Sequence, residues 1–228
     1  MRLLCLVALM ALLAGPVFAE YDFDGNPYRD PLPDDGTGHP APVGVRVQVF
    51  DSQAAFLSAA GYVTTQDFEA EPTIGTCDDG AVPQIVFADF TASSTPDAMK
   101  VLDQPCVGNH NTTPGGAKYL AADTDLGGVS AEVTFVFDPP IKTLGFYITD
   151  LDSATMHIVI LGVTYAVAPH GDGGESYFGI IEDAEFTTVV VQIVDAFDSH
   201  YSFDDFAYGS GLTPVKDATW GGVKALYR

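Results

Sequence analysis

VTFVFDPPIKTLGFYITD, residues 133–150, is the stretch on which the fold turns. Val133, Phe135 and Phe137 alternate with Thr134 and Val136, the period-two pattern that puts one apolar set on one face of a strand. Asp138-Pro139-Pro140 interrupts it, because neither proline has an N–H to give to a ladder. The pattern therefore predicts two strands, 129–137 and 141–150, lying as antiparallel neighbours with Val133, Phe135 and Phe137 turned inward. Upstream, the same period predicts strands at 45–50, 65–69, 85–92, 99–103 and 118–122. Downstream it predicts 156–167, 176–181, 186–194 and 203–209, with Gly162 breaking the first of these into a hairpin. Asp51 or Ser52 caps one short helix, SQAAFLSAAG, that Gly61 ends. About ten short strands bounded by Gly, Pro, Asp and Asn, with one helix near the start, describe an all-β, jelly-roll-like antiparallel β-sandwich with one short N-terminal helix.

The segments outside this body read differently. MRLLCLVALMALLAGPVFA, residues 1–19, has one early charge at Arg2, an apolar run from Leu3 to Leu13, and small residues at Val17 and Ala19. That is the order of a secretory signal peptide cleaved after Ala19. The competing reading, a membrane anchor, needs about 20 apolar residues, and this run is shorter. The expectation is a secreted or cell-surface protein with no membrane span in the mature chain. Residues 20–44 are rich in Pro, Gly and Asp without apolar periodicity, a flexible acidic linker. Within it Asp22, Asp24, Asn26 and Asp30 alternate as in a calcium loop, but the glycine and closing glutamate of such a loop are missing. The body is set at 45–209, and 210–228 is a separate C-terminal tail.

Nine basic residues stand against 31 acidic ones, a formal net charge of −22 that loses only Arg2 on cleavage. Such a chain repels phosphate, which sets aside nucleic acid and anionic lipid surfaces as partners. The charge serves solubility first; a few of the carboxylates are available for Ca²⁺, which takes oxygen ligands. Cys77 and Cys106 remain after cleavage. In an oxidising compartment they are expected to pair, closing a loop worth roughly 3.5 kcal/mol on the chain-entropy model. Two free thiols, or half of a metal site, are the alternatives, and no CxxC supports the latter.

Several segments carry a family likeness when taken in order: FDSQAAFLSAAG leading into TTQDFE, then GGAKYLAADTD, VTFVFDPPIKTLGFYITDLD, SYFGIIEDAEFTTVVVQIVD and FDDFAYG. Together, over roughly residues 46–209, they resemble the jelly-roll domain of bacterial secreted surface proteins of the PEP-CTERM and related sorted-exoprotein type, which is similar to galactose-binding-like and carbohydrate-binding modules. The resemblance implies a structural calcium ion where the first sandwich strand meets the last. The matching positions are Asp67 and Glu69, one strand face apart from Phe68, with Asp204 and Asp205; strand and turn ends are the competing explanation for all four. The likeness stops at the C-terminus, where TPVKDATWGGVKALYR has neither the Pro-Glu-Pro motif nor the apolar span of that anchor. It is similar instead to short Trp-Gly tails of exported bacterial proteins. Trp220, Val223 and Tyr227 share one helical face, with Lys216, Lys224 and Arg228 as its charges, a docking or sorting segment or else a frayed terminus.

Other clusters carry weaker chemistry. Asp123, Asp125, Asp150 and Asp152 fall at strand ends, where Asp is an ordinary turn residue. Tyr147, Tyr165, Tyr177, Phe178 and Tyr201 are candidates for a sugar-stacking platform, although strand aromatics more commonly fill cores. The histidines at 39, 110, 157, 170 and 200 show no zinc spacing, and no GxSxG elbow occurs. The expected function is thus that of a secreted, non-enzymatic binding or structural module of the cell surface or extracellular matrix, with a glycan or a surface protein as partner. A protein-interaction module delivered by its tail and a carboxylate-dependent glycoside hydrolase are the rivals.

Overall fold

The computed structural model describes residues 47–104, 106, 113, 116–123, 131–152, 154–171, 173–194 and 200–211. The expected signal peptide, the linker, and Trp220, Val223 and Tyr227 of the tail lie outside the described residues. The strands are β1 (Gln48–Phe50), β2 (Thr64–Gln66), β3 (Gln84–Val86), β4 (Phe90–Thr95), β5 (Met99–Leu102), β6 (Tyr119–Asp123), β7 (Glu132–Thr149), β8 (Thr155–Ile160), β9 (Val163–Val167), β10 (Glu175–Val194) and β11 (His200–Gly209), with one helix, α1 (Gln53–Ala60). All strand pairs are antiparallel.

The two halves around Asp138-Pro139-Pro140 are not neighbouring strands. They form one long strand, β7, and 176–181 and 186–194 likewise merge into β10. Pairing between β7 and β10 skips from Val136–Thr188 to Ile141–Phe186. The prolines fall in that gap, exposed, where no ladder donor is required, so they bend the strand without ending it. Because both strands bend together, each runs through two layers. One layer is β3-β4-β7-β10-β8-β9, built on Glu132–Phe137 and the C-terminal half of β10. The other is β5-β6-β11-β7-β10-β1, built on Thr143–Thr149 and the N-terminal half of β10, with β2 pairing the end of β11 beyond β6. Hydrogen bonds join all of it into one network. The architecture is an antiparallel β-sandwich folded from shared strands.

The inner faces meet in an aromatic core. Val133, Phe135 and Phe137 point inward as the alternation predicts. Phe135 lies 5.2 Å from Phe203 and 5.1 Å from Phe206 in the facing layer, and Phe206 stacks on both Phe90 and Phe146. Edge-to-face and offset pairs of this kind add to the burial of their area.

Two predicted strands divide. Residues 85–92 turn at 87–89, where Phe87 N donates to Phe90 O, and become the hairpin β3–β4. The run 156–167 breaks at Leu161 (φ 52°) and Gly162 (φ 79°), the two left-handed residues of a type I′ hairpin.

The outer face of the second layer is covered twice. At one end α1 lays Phe56 and Ala60 against Tyr177 and Ala207. At the other end the Cys77–Cys106 disulfide closes over Leu102, Tyr119 and Ala121. Nearby, Lys100 Nζ and Asp123 form an ion pair at 3.0 Å, both fully buried. Breaking such a pair by removing one partner leaves an uncompensated charge in the interior.

Candidate functional site

Beside the N-terminal end of α1 the outer face opens into a groove. Tyr147 of β7 and Tyr177 of β10 are directly paired across the strands and meet edge to face, ring centroids 5.1 Å apart and planes at 71°. Phe56 of α1 packs on Tyr177 from behind at 6.0 Å. The close fit depends on Gly145. A Cβ there would stand 2.0 Å from the Tyr177 hydroxyl, so only glycine admits that ring. Tyr147 is left half-buried.

The groove encloses about 380 Å³ and is lined by the two tyrosines, Asp51, Ser52, Gln53, Ala54, Glu175 and Ser176. That volume lies within the range of small-ligand sites, roughly 300–1,000 Å³. The helix supplies one wall. Ser52 is its N-cap and makes no side-chain cap bond. Two hydroxyls beneath it, Tyr177 Oη over Gly145 and Ser176 Oγ on the opposite face of β10, are buried with no hydrogen-bond partner among the described residues. Tyr177 is only 7 % exposed, so its unanswered hydroxyl carries a desolvation cost.

Carboxylates dominate the electrostatics. Burial raises the Tyr147 phenol above its ordinary range, and the charges of Glu175 and Asp205 raise it further. Burial likewise raises Tyr177, with contributions from Tyr147 and Asp205. Both phenols are neutral donors at any physiological pH. A polar, acid-rimmed groove with two tyrosine rings can stack on the C–H face of a sugar and hydrogen-bond its hydroxyls.

A larger cleft, about 550 Å³, lies at the bend and is lined by Pro140, Val159, Leu161, Phe186 and Val190 with Glu185. It is chiefly apolar, and its polar groups do not converge as ligand sites require.

The four expected calcium ligands do not come together around one point. β2 stops at Gln66, and Phe68 turns into the core with φ 60°. Asp67 and Glu69 therefore sit on an exposed turn instead of one strand face. Asp67 Oδ1 accepts from Glu69 N, and Glu69 Oε1 accepts from the Ala117 and Lys118 amides, which hold the Glu69 carboxyl below the usual range. Asp204 and Asp205 do meet: the Thr113 hydroxyl lies 3.0 Å from Asp204 Oδ2 and 2.9 Å from Asp205 Oδ2, and Thr113 N donates to Asp204. Asp204 is 1 % exposed, and burial pushes its carboxyl up to about 6 against the pull of the Thr113 and Asp205 amides. Among the described residues no three His, Cys, Asp or Glu side chains are grouped to hold a metal.

The second acidic cluster is dispersed as turn chemistry predicts. Asp123 takes Lys100, Asp150 Oδ1 accepts from Gly173 N, Asp152 is exposed, and Asp125 lies outside the described residues. Of the five candidate aromatics, Phe178 and Tyr201 are core, and the Tyr201 hydroxyl donates to Ala131 O. Tyr165 packs on the core and donates to Glu182. Tyr147 and Tyr177 alone among the five line the groove. Sequence reading missed Asp51, Gln53, Glu175 and Ser176 as their companions. Their grouping left no signal in the sequence, because it depends on the β7–β10 register that pairs Tyr147 with Tyr177.

No protein-family model matches the chain, and no curated protein matches it. Solved structures do align with it. The K2 cleaved adhesin domain of Lys-gingipain superposes with a TM-score of 0.45 at 13% identity, over 64% of this chain and 99% of that one. The K1 cleaved adhesin domain of Lys-gingipain from Porphyromonas gingivalis gives 0.41 at 12% identity, over 67% and 100%. TmCBM61 in complex with beta-1,4-galactotriose gives 0.37 at 16% identity, over 54% and 88%. The likeness is one of fold. At these scores no ligand or activity passes from those proteins to this one. No helix among the described residues is long and apolar enough to cross a membrane.

Proposed function

We propose that this chain is a secreted, non-catalytic binding module that takes a glycan in the groove between α1 and the second layer. The observation that carries the reading is Tyr147, half-buried and braced edge-on by Tyr177 in a cavity whose other walls, Ala54 apart, are polar. A rigid ring of this kind offers a flat apolar face at little entropic cost, while Asp51, Gln53 and Glu175 supply acceptors and donors for hydroxyl groups. The disulfide supports an oxidising, extracytoplasmic location.

The hydrolase reading has one observation in its favour. Asp204 and Asp205 both reach the Thr113 hydroxyl, and burial raises the Asp204 carboxyl, so two neighbouring carboxylates differ in their readiness to hold a proton. Thr113, however, fills the space between them and bonds to both, and neither carboxylate lines the groove. With both carboxylates engaged by Thr113 and set apart from the groove, binding without turnover is the reading we favour.

A glycan array followed by titration calorimetry tests the proposal. Tyr147→Ala is expected to weaken the best array ligand about tenfold or more, equivalent to 1.4 kcal/mol, with the fold intact by circular dichroism. Broad silence of the array at high protein concentration would sink glycan binding and leave a protein partner as the reading.

A further inference from the structure

We propose that the C-terminal tail, residues 212–228, returns over the bend of its own sandwich and seats Trp220 in the apolar cleft beside the β8–β9 turn. The cleft, about 550 Å³, is walled by Val159, Leu161, Phe186 and Val190, with Pro140 at the bend. Leu161 is 51 % exposed, and Val136, paired with the cleft residue Thr188, is 43 % exposed. An apolar cleft that runs on into exposed apolar side chains of a strand face marks an interaction surface.

Three observations name the tail as its occupant. The first is where the sandwich releases the chain. A Cβ on Gly211 would stand 3.3 Å from Lys142 Cβ, so the tail starts beside β7 at a residue only two positions from Pro140. β11 pairs with β7, β7 with β10 and β10 with β8, so three strand spacings, about 15 Å, separate that exit from the β8–β9 turn. Trp220 lies nine residues beyond Gly211, a reach of about 30 Å. The second is charge. Three of the chain's nine bases, Lys216, Lys224 and Arg228, but only one of its 31 acids, Asp217, lie in the tail. Glu185 lines the cleft, and Asp138 and Asp183 are exposed on the strands that bend there. Lys142 opposes this attraction at the exit. Exposed charges act weakly and yield to salt, so they orient the tail while burial of the indole holds it. The third is chemistry. Trp220 is the one tryptophan of the chain, a large apolar ring with a single N–H, and the exposed Thr188 hydroxyl at the cleft can accept that proton.

Tryptophan emission therefore reads the tail directly in the whole protein, at a concentration where sedimentation shows a monomer. The native protein is expected to emit to the blue of the urea-unfolded chain, with acrylamide quenching about threefold weaker. Leu161→Asn removes an apolar wall yet suits the left-handed position at φ 52°. It should return both readings most of the way to their unfolded values with circular dichroism unchanged. Glu185→Lys, at an exposed site, should raise the quenching, and so should added salt. Native emission and quenching equal to those in urea would overturn the proposal. Shielding that both variants leave intact would put the tail elsewhere on the body and overturn it as well. Shielding lost on dilution, together with a dimer, would seat the tail on a second copy and overturn the intramolecular cover.

Discussion

Asp204 shows how one residue sets a pH dependence. Its carboxyl is raised because burial disfavours the charged form more than the Thr113 and Asp205 donors favour it. A raised acid binds its proton more tightly in the folded than in the unfolded chain, so stability from this group falls as pH rises from about 4 to about 6 and stays low above that. The full effect is at most about 3 kcal/mol. Asp204→Asn removes the ionisation and keeps a carbonyl to accept from Thr113. Urea unfolding is therefore expected to show the variant gaining on the natural protein at pH 7.5 relative to pH 4.5. An equal difference at the two pH values would mean that Asp204 does not titrate in this window. The same residue marks a limit of sequence reading. Straight alternation through FDDFAYG puts Phe203 and Phe206 on opposite faces, yet both are buried in the core. The register shift between Asp204 and Ala207, with Asp205 at φ 49°, turns Phe206 back inward. Nothing in the residue types announces that bulge.

At the scale of elements, local chemistry was legible and pairing was not. The helix ended by Gly61, the Leu161–Gly162 turn and the inward set Val133, Phe135 and Phe137 all follow from periods and turn residues. The fusion of two predicted strands into β7 does not, because whether a proline pair ends a strand or bends it depends on whether the partner strand also loses register there. The groove was hidden for a related reason: Tyr147 and Tyr177 are 30 residues apart in sequence and become neighbours only through the β7–β10 register. The disulfide was readable from compartment and count alone, and its contribution follows from the loop it closes. With a sequence separation of 29, the chain-entropy model gives about 3.5 kcal/mol. A Cys77→Ser, Cys106→Ser double variant is expected to lose stability of that order in urea, measured against the oxidised protein. A loss below about 1 kcal/mol would show that the cover over Leu102 and Tyr119 is held by packing and not by the cross-link.

At the scale of the whole molecule the dominant fact is charge. The sequence carries a net −22, and the buried acids among the described residues are answered individually: Asp123 by Lys100, Asp204 by Thr113, Asp150 by Gly173 and Glu182 by Tyr165. Calcium at Asp204 and Asp205 is a proposal of its own, and melting in EDTA decides it. A lowered melting temperature, restored by Ca²⁺, would support an ion there. An unchanged melt would remove it, and that is the outcome favoured by carboxylates already aimed at N–H and O–H donors.

The sharing of β7 and β10 between layers bears on what a binding module must withstand. In a sandwich of two separate leaves, tension applied at a ligand has to cross from one leaf to the other through side-chain packing. Here the two tyrosines that would grip the ligand sit on the two strands that continue, as unbroken covalent chain, into the opposite leaf. Force at the groove is carried along backbone into the far layer, and the leaves cannot be peeled apart without unthreading both strands.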